Sequence, residues 1–302
     1  MTTLIELRPR GPYDLRMTLG GVRDGTLRLL DDGAELVFAT PAGPAHARVA
    51  QRRDGTLRVA LAAPDDAGAL DRLRFLLALD DDIAPFLALA ARDDLLAGPV
   101  ARARGLRAAR KGTCVHALVA GLAGQLVTFD EARRIERAIV RLAGVPHAGL
   151  TLSPDRAGLA RLSAAEIAAG GLASRRASAL VRISGQLDLE RLLTVAPDAA
   201  ATRLLRERQL GPWSVATFFL HGLGRYDRGL VGDLGLIRLC SQLQGRRAEA
   251  DDTAELLARY GEWAGLASLH LLRTGGAARG PARLGSPARL GSDPYRAPSA
   301  KV

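Results

Sequence analysis

Lysine is nearly missing from this chain. Lys111 and Lys301 stand alone among 42 cationic side chains, and the other forty are arginine. With abundant Ala, Gly and Leu, that bias reads as the imprint of a GC-rich genome. Cysteine is as scarce. Cys114 and Cys240 can form neither a disulfide framework nor a four-cysteine metal or iron–sulfur site. The five histidines, His46, His116, His147, His221 and His270, show no metal-ligand spacing, so no metal is expected. Aromatics are only 4% of the chain, with two tryptophans, Trp213 and Trp263. No apolar run approaches the ~20 residues of a membrane span. The opening MTTLIELRPRGPYD lacks the apolar core of a signal peptide, so a cytoplasmic protein with no membrane partner is expected. GLGRYDRG (222–229) resembles a Gly-rich phosphate loop but lacks its Lys-Ser/Thr and the preceding strand.

What is present is length enough for two or three domains and a net charge of +10. A cationic surface concentrates polyanions, so nucleic acid is the partner class the charge favours. Residues 1–80 read as β-rich. TLRLL (26–30), AELVFA (34–39) and TLRVALAA (56–63) are short apolar runs separated by RDGT (23–26), DDG (31–33) and RRDGT (52–56). Asp-Gly between apolar runs signals hairpins. Residues 81–275 carry helical spacing, in IAPFLALAARDDLLAGPVARA and again through 115–144, with a break near Val127–Thr128. Thr128 with Glu131, and Ser163 with Glu166, have capping-box spacing. RARGLRAARK (102–111) offers either phosphate contacts or a solvated basic face. Residues 276–302, with the near-repeat ARLGSPARLGS, read as a disordered basic tail. The expected class is α+β: a small antiparallel β-containing domain, then an all-α body in two subdomains.

The chemistry is concentrated in RERQLGPWSVATFFLHGLGRYDRGLVGDLGLIRLC (206–240). A helix ends, a tight turn follows at Gln209-Leu210-Gly211, and Pro212 opens the next helix, where its missing N–H is not needed. The exposed N–H groups there suit a phosphate and make a sequence-independent DNA anchor. Asp233, before LGLIRL, suits a helix N-cap.

LGPWSVATFFLHGLGRYD followed by GDLGLIR resembles the hairpin and catalytic segment of the DNA-3-methyladenine glycosylase II (AlkA-like) family, within the helix-hairpin-helix glycosylases. RGPYDLRMTLGG (10–21), VAGLAGQLVTFDEARRI (119–135) and RYGEWAGLASLHLL (259–272) resemble three further family segments, in family order. The resemblance implies a monofunctional DNA N-glycosylase of base excision repair, acting as a monomer on double-stranded DNA with a damaged base. It would be a bacterial, nucleoid-associated enzyme. Asp233 matches the carboxylate that faces the flipped nucleotide. Trp213 and Trp263 match pocket residues, Trp263 the one stacked on the extruded base. Gln125 and Leu126 match the helix-junction pair, Leu126 the wedge filling the vacated stack. Gln209, Leu210 and Gly211 match the DNA-binding hairpin, which in the family can hold a monovalent cation on backbone carbonyls. No other cofactor is implied. Strand-cutting relatives carry a Schiff-base lysine two residues after the second hairpin glycine, where this chain has Trp213. Water is therefore the expected nucleophile.

The pattern departs from the family at three places. The family's Gly-x-Gly hairpin begins here with Gln209, which pays a strain cost if that position needs positive φ. Thr217 stands where an aromatic is usual, and Val231 where a proline is usual, so the pocket is expected to be less aromatic. These departures keep open a second reading, a non-catalytic damaged-DNA binder on the same fold. A third, an RNA- or protein-binding scaffold, leaves the ordered matches unexplained.

Overall fold

The computed structural model describes residues 2–274, and the tail reading for 276–302 lies outside the described residues. The fold is α+β. Five strands, β1 (Thr2–Leu7), β2 (Leu27–Leu30), β3 (Gly33–Thr40), β4 (Gly43–Gln51) and β5 (Leu57–Ala62), form an antiparallel sheet in the order β1-β5-β4-β3-β2. Two predicted Asp-Gly turns join neighbouring strands: Asp31-Asp32 between β2 and β3, and the 52–56 turn between β4 and β5. Side chains alternate across the sheet, burying Ala45, Ala47 and Val49 of β4 and Leu57, Val59 and Leu61 of β5. The helix Asp66–Leu76 lays Ala69, Leu73 and Leu76 into the same core. Gly33 has no room for a side chain, because a Cβ there would fall 2.0 Å from the Val49 carbonyl oxygen.

The long apolar run after residue 82 divides into two helices, Ala84–Ala90 and Ala97–Arg102. Asp93 sets the division: its carboxylate accepts from the N–H groups of Leu95 (3.0 Å) and Leu96 (2.9 Å), which ends one helix and starts a turn toward the next.

The basic run 102–111 is divided: Arg102 and Arg104 stay exposed, and the other three cations do not. Arg107, Arg110 and Lys111 turn inward. The Arg107 guanidinium, 1% exposed, donates to the carbonyls of Ala78, Leu79, Arg10 and Pro12 and lies over the Tyr13 ring at 5.2 Å. Arg110 donates to both oxygens of Asp81 at 2.7 Å. Lys111 Nζ lies 2.6 Å from Asp24 and 2.7 Å from Glu136. A buried cation is tolerable only when so many acceptors surround it. These three residues therefore fasten the N-terminal segment to the body and cannot reach a phosphate.

The body is organised on the helix Cys114–Ala123, all ten of whose residues are buried. Its core has two parts. One gathers Leu118, Ile135, Ile139, Leu180 and Phe218; the other gathers Phe86, Leu236, Leu256 and Leu266. The helix Pro212–Phe218 serves both, sending Val215 and Phe218 to the first and Ala216 to the second. That position puts the preceding turn and Trp213 at the mouth of the cleft between the two parts. No described helix is long and apolar enough to cross a membrane.

Candidate active site

A cavity of about 1080 Å³ opens where three segments meet: the junction 124–129, the turn 209–214 and the loop 231–234. Asp233, Trp213, Gln125, Leu126, Gln209, Leu210 and Gly211 all line it. Residues as far apart as 125 and 233 in sequence are thus brought to one wall.

Asp233 caps the helix Leu234–Gln244. Its Oδ1 accepts from the Gly235 N–H at 2.8 Å, and its Oδ2 accepts from the Trp213 indole Nε1–H at 3.0 Å. Both oxygens therefore receive an N–H donor, which fixes the direction of the carboxylate. The side chain stays half-buried and open to the cavity. Trp213 is located as closely as the carboxylate it touches. A Cβ on Gly124 would lie 2.4 Å from its Cη2, so the indole packs against a position only glycine can fill.

Gln125 serves the scaffold as well as lining the cavity. Its amide Nε2 donates to the Gln209 carbonyl and the Ser214 Oγ, both at 2.7 Å, tying the junction to the turn. Arg176 donates to the Gln125 carbonyl at 2.7 Å. Leu126 follows with φ +56° and 83% exposure. A leucine forced into left-handed backbone and held in solvent is strained twice over, in conformation and in hydration.

The turn itself carries the strain that its sequence implied, since Gln209 has φ +76°. Two of its carbonyls are engaged. Glu207 O accepts from Leu210 N at 3.1 Å, and Gln209 O accepts from Gln125. A monovalent cation on this turn would share those oxygens through their second lone pairs.

Trp263 is not among the residues that line this cavity, and it stays partly exposed. Its ring packs between Phe86 and Tyr226, with centroids 5.9 Å away in each case, and belongs to the edge of the second core part. The last helix reaches the cavity through Leu272 instead. Thr217 is buried and donates to the Trp213 carbonyl at 3.0 Å, bracing the same turn.

Sequence reading missed Phe129, Arg133, Leu234 and Arg238, which also line the cavity. Phe129 had a signal. It continues the stripe of Ala132, Glu136, Ile139 and Ala143 by helical spacing, yet sits at the helix's first position, where that stripe runs past the core.

Glu136 heads a buried cluster behind this wall. His116 Nε2 lies 3.1 Å from Glu136 and Arg133 pairs with it, while His116 Nδ1 faces Ser153 Oγ at 2.9 Å. Asp24, His116 and Glu136 have the spacing of a three-ligand metal site, but the Lys111 ammonium supplies the positive charge there. Burial alone would raise the Asp24 pKa. Lys111 and His116 outweigh it and bring it down to about 2.

No protein-family model matches the chain. Its structure aligns with a 3-methyladenine DNA-glycosylase from Archaeoglobus fulgidus at a TM-score of 0.77 and 18% identity, over 91% of this chain and 98% of that one. It also aligns with an 8-oxoguanine glycosylase/lyase from Clostridium acetobutylicum at 0.72 and 14%, over 90% and 96%. An N-terminal sheet, a two-part helical body, and a helix–turn–helix that ends beside a carboxylate make up a fold that the chain shares with these DNA glycosylases. The sequence is similar to the DNA-3-methyladenine glycosylase of Bacillus subtilis (strain 168). The two are 27% identical over 207 residues, 65% of this chain and 68% of that protein.

Proposed function

We propose that this protein is a monofunctional DNA N-glycosylase that removes alkylated bases, with Asp233 as its catalytic carboxylate. The observation that carries the reading is the placement of Asp233. One half-buried carboxylate is fixed by two N–H donors on the wall of a cavity large enough for an extruded nucleotide. Glycosidic cleavage develops positive charge on the sugar, and a carboxylate beside C1′ stabilises it and orients the attacking water. Among the described residues the cavity lining holds no histidine, lysine, glutamate, cysteine or tyrosine to protonate a leaving base. A substrate must then carry its own activation, as a cationic N-alkylated purine does. Extrusion of the base costs about a few kcal/mol. Leu126, projecting beside the cavity, has the character of a wedge that offsets that cost by filling the gap.

Among the described residues no lysine lines this cavity. Lys111 is 5% exposed and held between two carboxylates away from the cavity, and Trp213 stands where a Schiff-base lysine would. The product is an uncut abasic strand. The non-catalytic reading retains one supporting observation, the non-glycine hairpin at Gln209, and the same experiment separates the two. A duplex with a single alkylated purine is incubated with the protein and then treated with alkali. Wild type is expected to give alkali-dependent breaks and no borohydride-trapped adduct. Asp233→Asn is expected to lose roughly a hundredfold or more of the rate. Tight binding without breaks from wild type would establish the binder instead.

A further inference from the structure

The cavity has two aromatic walls in this structure, Trp213 and Phe129, and Phe129 has no obvious structural reason to be there. It is 56% exposed, although a phenyl ring of its size would gain from burial in the core that begins one turn later at Ala132. The ring is nonetheless held from two sides. The Arg133 guanidinium lies over it at 5.1 Å, and Gly21 of the N-terminal domain approaches within contact range, its would-be Cβ 3.8 Å from the ring's Cζ. Arg133 in turn is paired with Glu136, which is 0% exposed and sits beside Lys111. Lys111 reaches Asp24, in the segment that also receives Arg137 on the Arg23 carbonyl. An unbroken chain of ion pairs therefore runs from the N-terminal domain to an exposed ring on the cavity wall. Arg133's charge is balanced by Glu136, which leaves Phe129 a neutral, fixed, planar face. Trp263, meanwhile, is committed to Phe86 and Tyr226.

Resting on the glycosylase reading, we infer that Phe129 is the second aromatic contact for the extruded purine, facing the base in company with Trp213, and that Arg133 is the positioning residue that holds it. Stacking on a neutral phenyl ring selects a planar, electron-poor heterocycle by shape, whatever its hydrogen-bonding edge.

Three duplexes test this: one with 7-methylguanine, one with its 2′-fluorinated counterpart whose glycosidic bond resists cleavage, and one with a tetrahydrofuran abasic analogue. Phe129→Leu keeps an apolar side chain at an exposed position, so folding is preserved. It is expected to lose about tenfold in single-turnover excision and in affinity for the fluorinated duplex, the size of one base–aromatic stack. Its affinity for the abasic duplex stays unchanged. Phe129→Trp retains both, and Arg133→Met shows a smaller loss of the same selective kind. An equal loss on the abasic duplex would put the ring in the DNA helix rather than against the base, and no loss on any duplex would remove it from recognition. Either overturns the inference. If wild type binds all three duplexes but excises nothing, the glycosylase reading falls, and the affinity comparison still decides the role of Phe129.

Discussion

At the scale of single residues, Leu126 and Gln209 mark where this chain accepts unfavourable backbone. Both have positive φ, and a left-handed L-residue costs about 1–2 kcal/mol. Their side chains differ in purpose. Gln209 acts through its carbonyl, which accepts the Gln125 amide, and any residue supplies a carbonyl. Leu126 offers only its side chain, 83% exposed. The two glycine variants should therefore part company. In both, relief of strain and glycine's extra unfolded-state freedom, about 0.5–1 kcal/mol, nearly cancel, so thermal unfolding shifts by less than about 1 kcal/mol either way. Gln209→Gly is expected to keep its excision rate. Leu126→Gly is expected to lose roughly tenfold or more, because nothing then fills the stack. Equal rates for the two variants would show that Leu126 is strained for some reason other than catalysis.

At the scale of elements, the site depends on how closely the junction helix and the turn approach. Gly124 ends the helix Cys114–Ala123 against the Trp213 ring. Gly124→Ala is better for helix propensity by about 1 kcal/mol, yet its methyl group cannot coexist with the indole. The ring must move and take its Nε1–H away from Asp233. The expected result is an overpacking loss of about 1–3 kcal/mol, with a fall in excision rate and a shift in tryptophan fluorescence; unchanged fluorescence would contradict the account. Local chemistry of this kind was largely legible in the sequence. Thr128, Ser163 and Asp233 all cap the helices they were expected to cap, because a cap is decided within four residues. Glu131 does not close the box with Thr128; it pairs with Arg134 instead. β4 left no signal, since its buried positions include Ala45 and Ala47, too weakly apolar to show alternation. Trp263 was placed in the pocket by resemblance alone, and its contacts with Phe86 and Tyr226 are tertiary ones that no local pattern announces. Asp24 read as a hairpin aspartate, and only tertiary structure could reveal it as the buried partner of Lys111.

At the scale of the whole molecule, electrostatics inside the protein matter more than the net charge of +10 suggests. Lys111 joins Asp24, from the loop before β2, to Glu136 on the helix Phe129–Ala143. Removing it takes the ammonium from two buried carboxylates, leaving Asp24 beside the His116 ring while Glu136 keeps Arg133; breaking a buried pair in this way ordinarily costs about 3–5 kcal/mol. The histidines set a second condition. Burial pushes His221 down to about 4, with Lys111's charge adding to the effect, and burial likewise pushes His270 down to about 4. His221 Nδ1 lies 2.7 Å from the Ala109 carbonyl, which selects the neutral tautomer with its proton on that nitrogen. In the unfolded chain both histidines regain a value near 6.5. Between about pH 6.5 and 4 the unfolded state therefore binds more protons than the native one, and stability falls as pH falls through that window. Asp24 has the usual carboxylate sign. Its contribution is present above about pH 4 and is lost only toward its depressed value of about 2. The two effects are thus separated in pH. Urea unfolding at pH 7.5, 5.5 and 4.5 should show the midpoint dropping already by pH 5.5, before any carboxylate titrates, and dropping further at 4.5. A midpoint flat down to 4.5 would mean that both histidines are charged in the native protein, and that the interior around Lys111 is wetter than its 5% exposure implies.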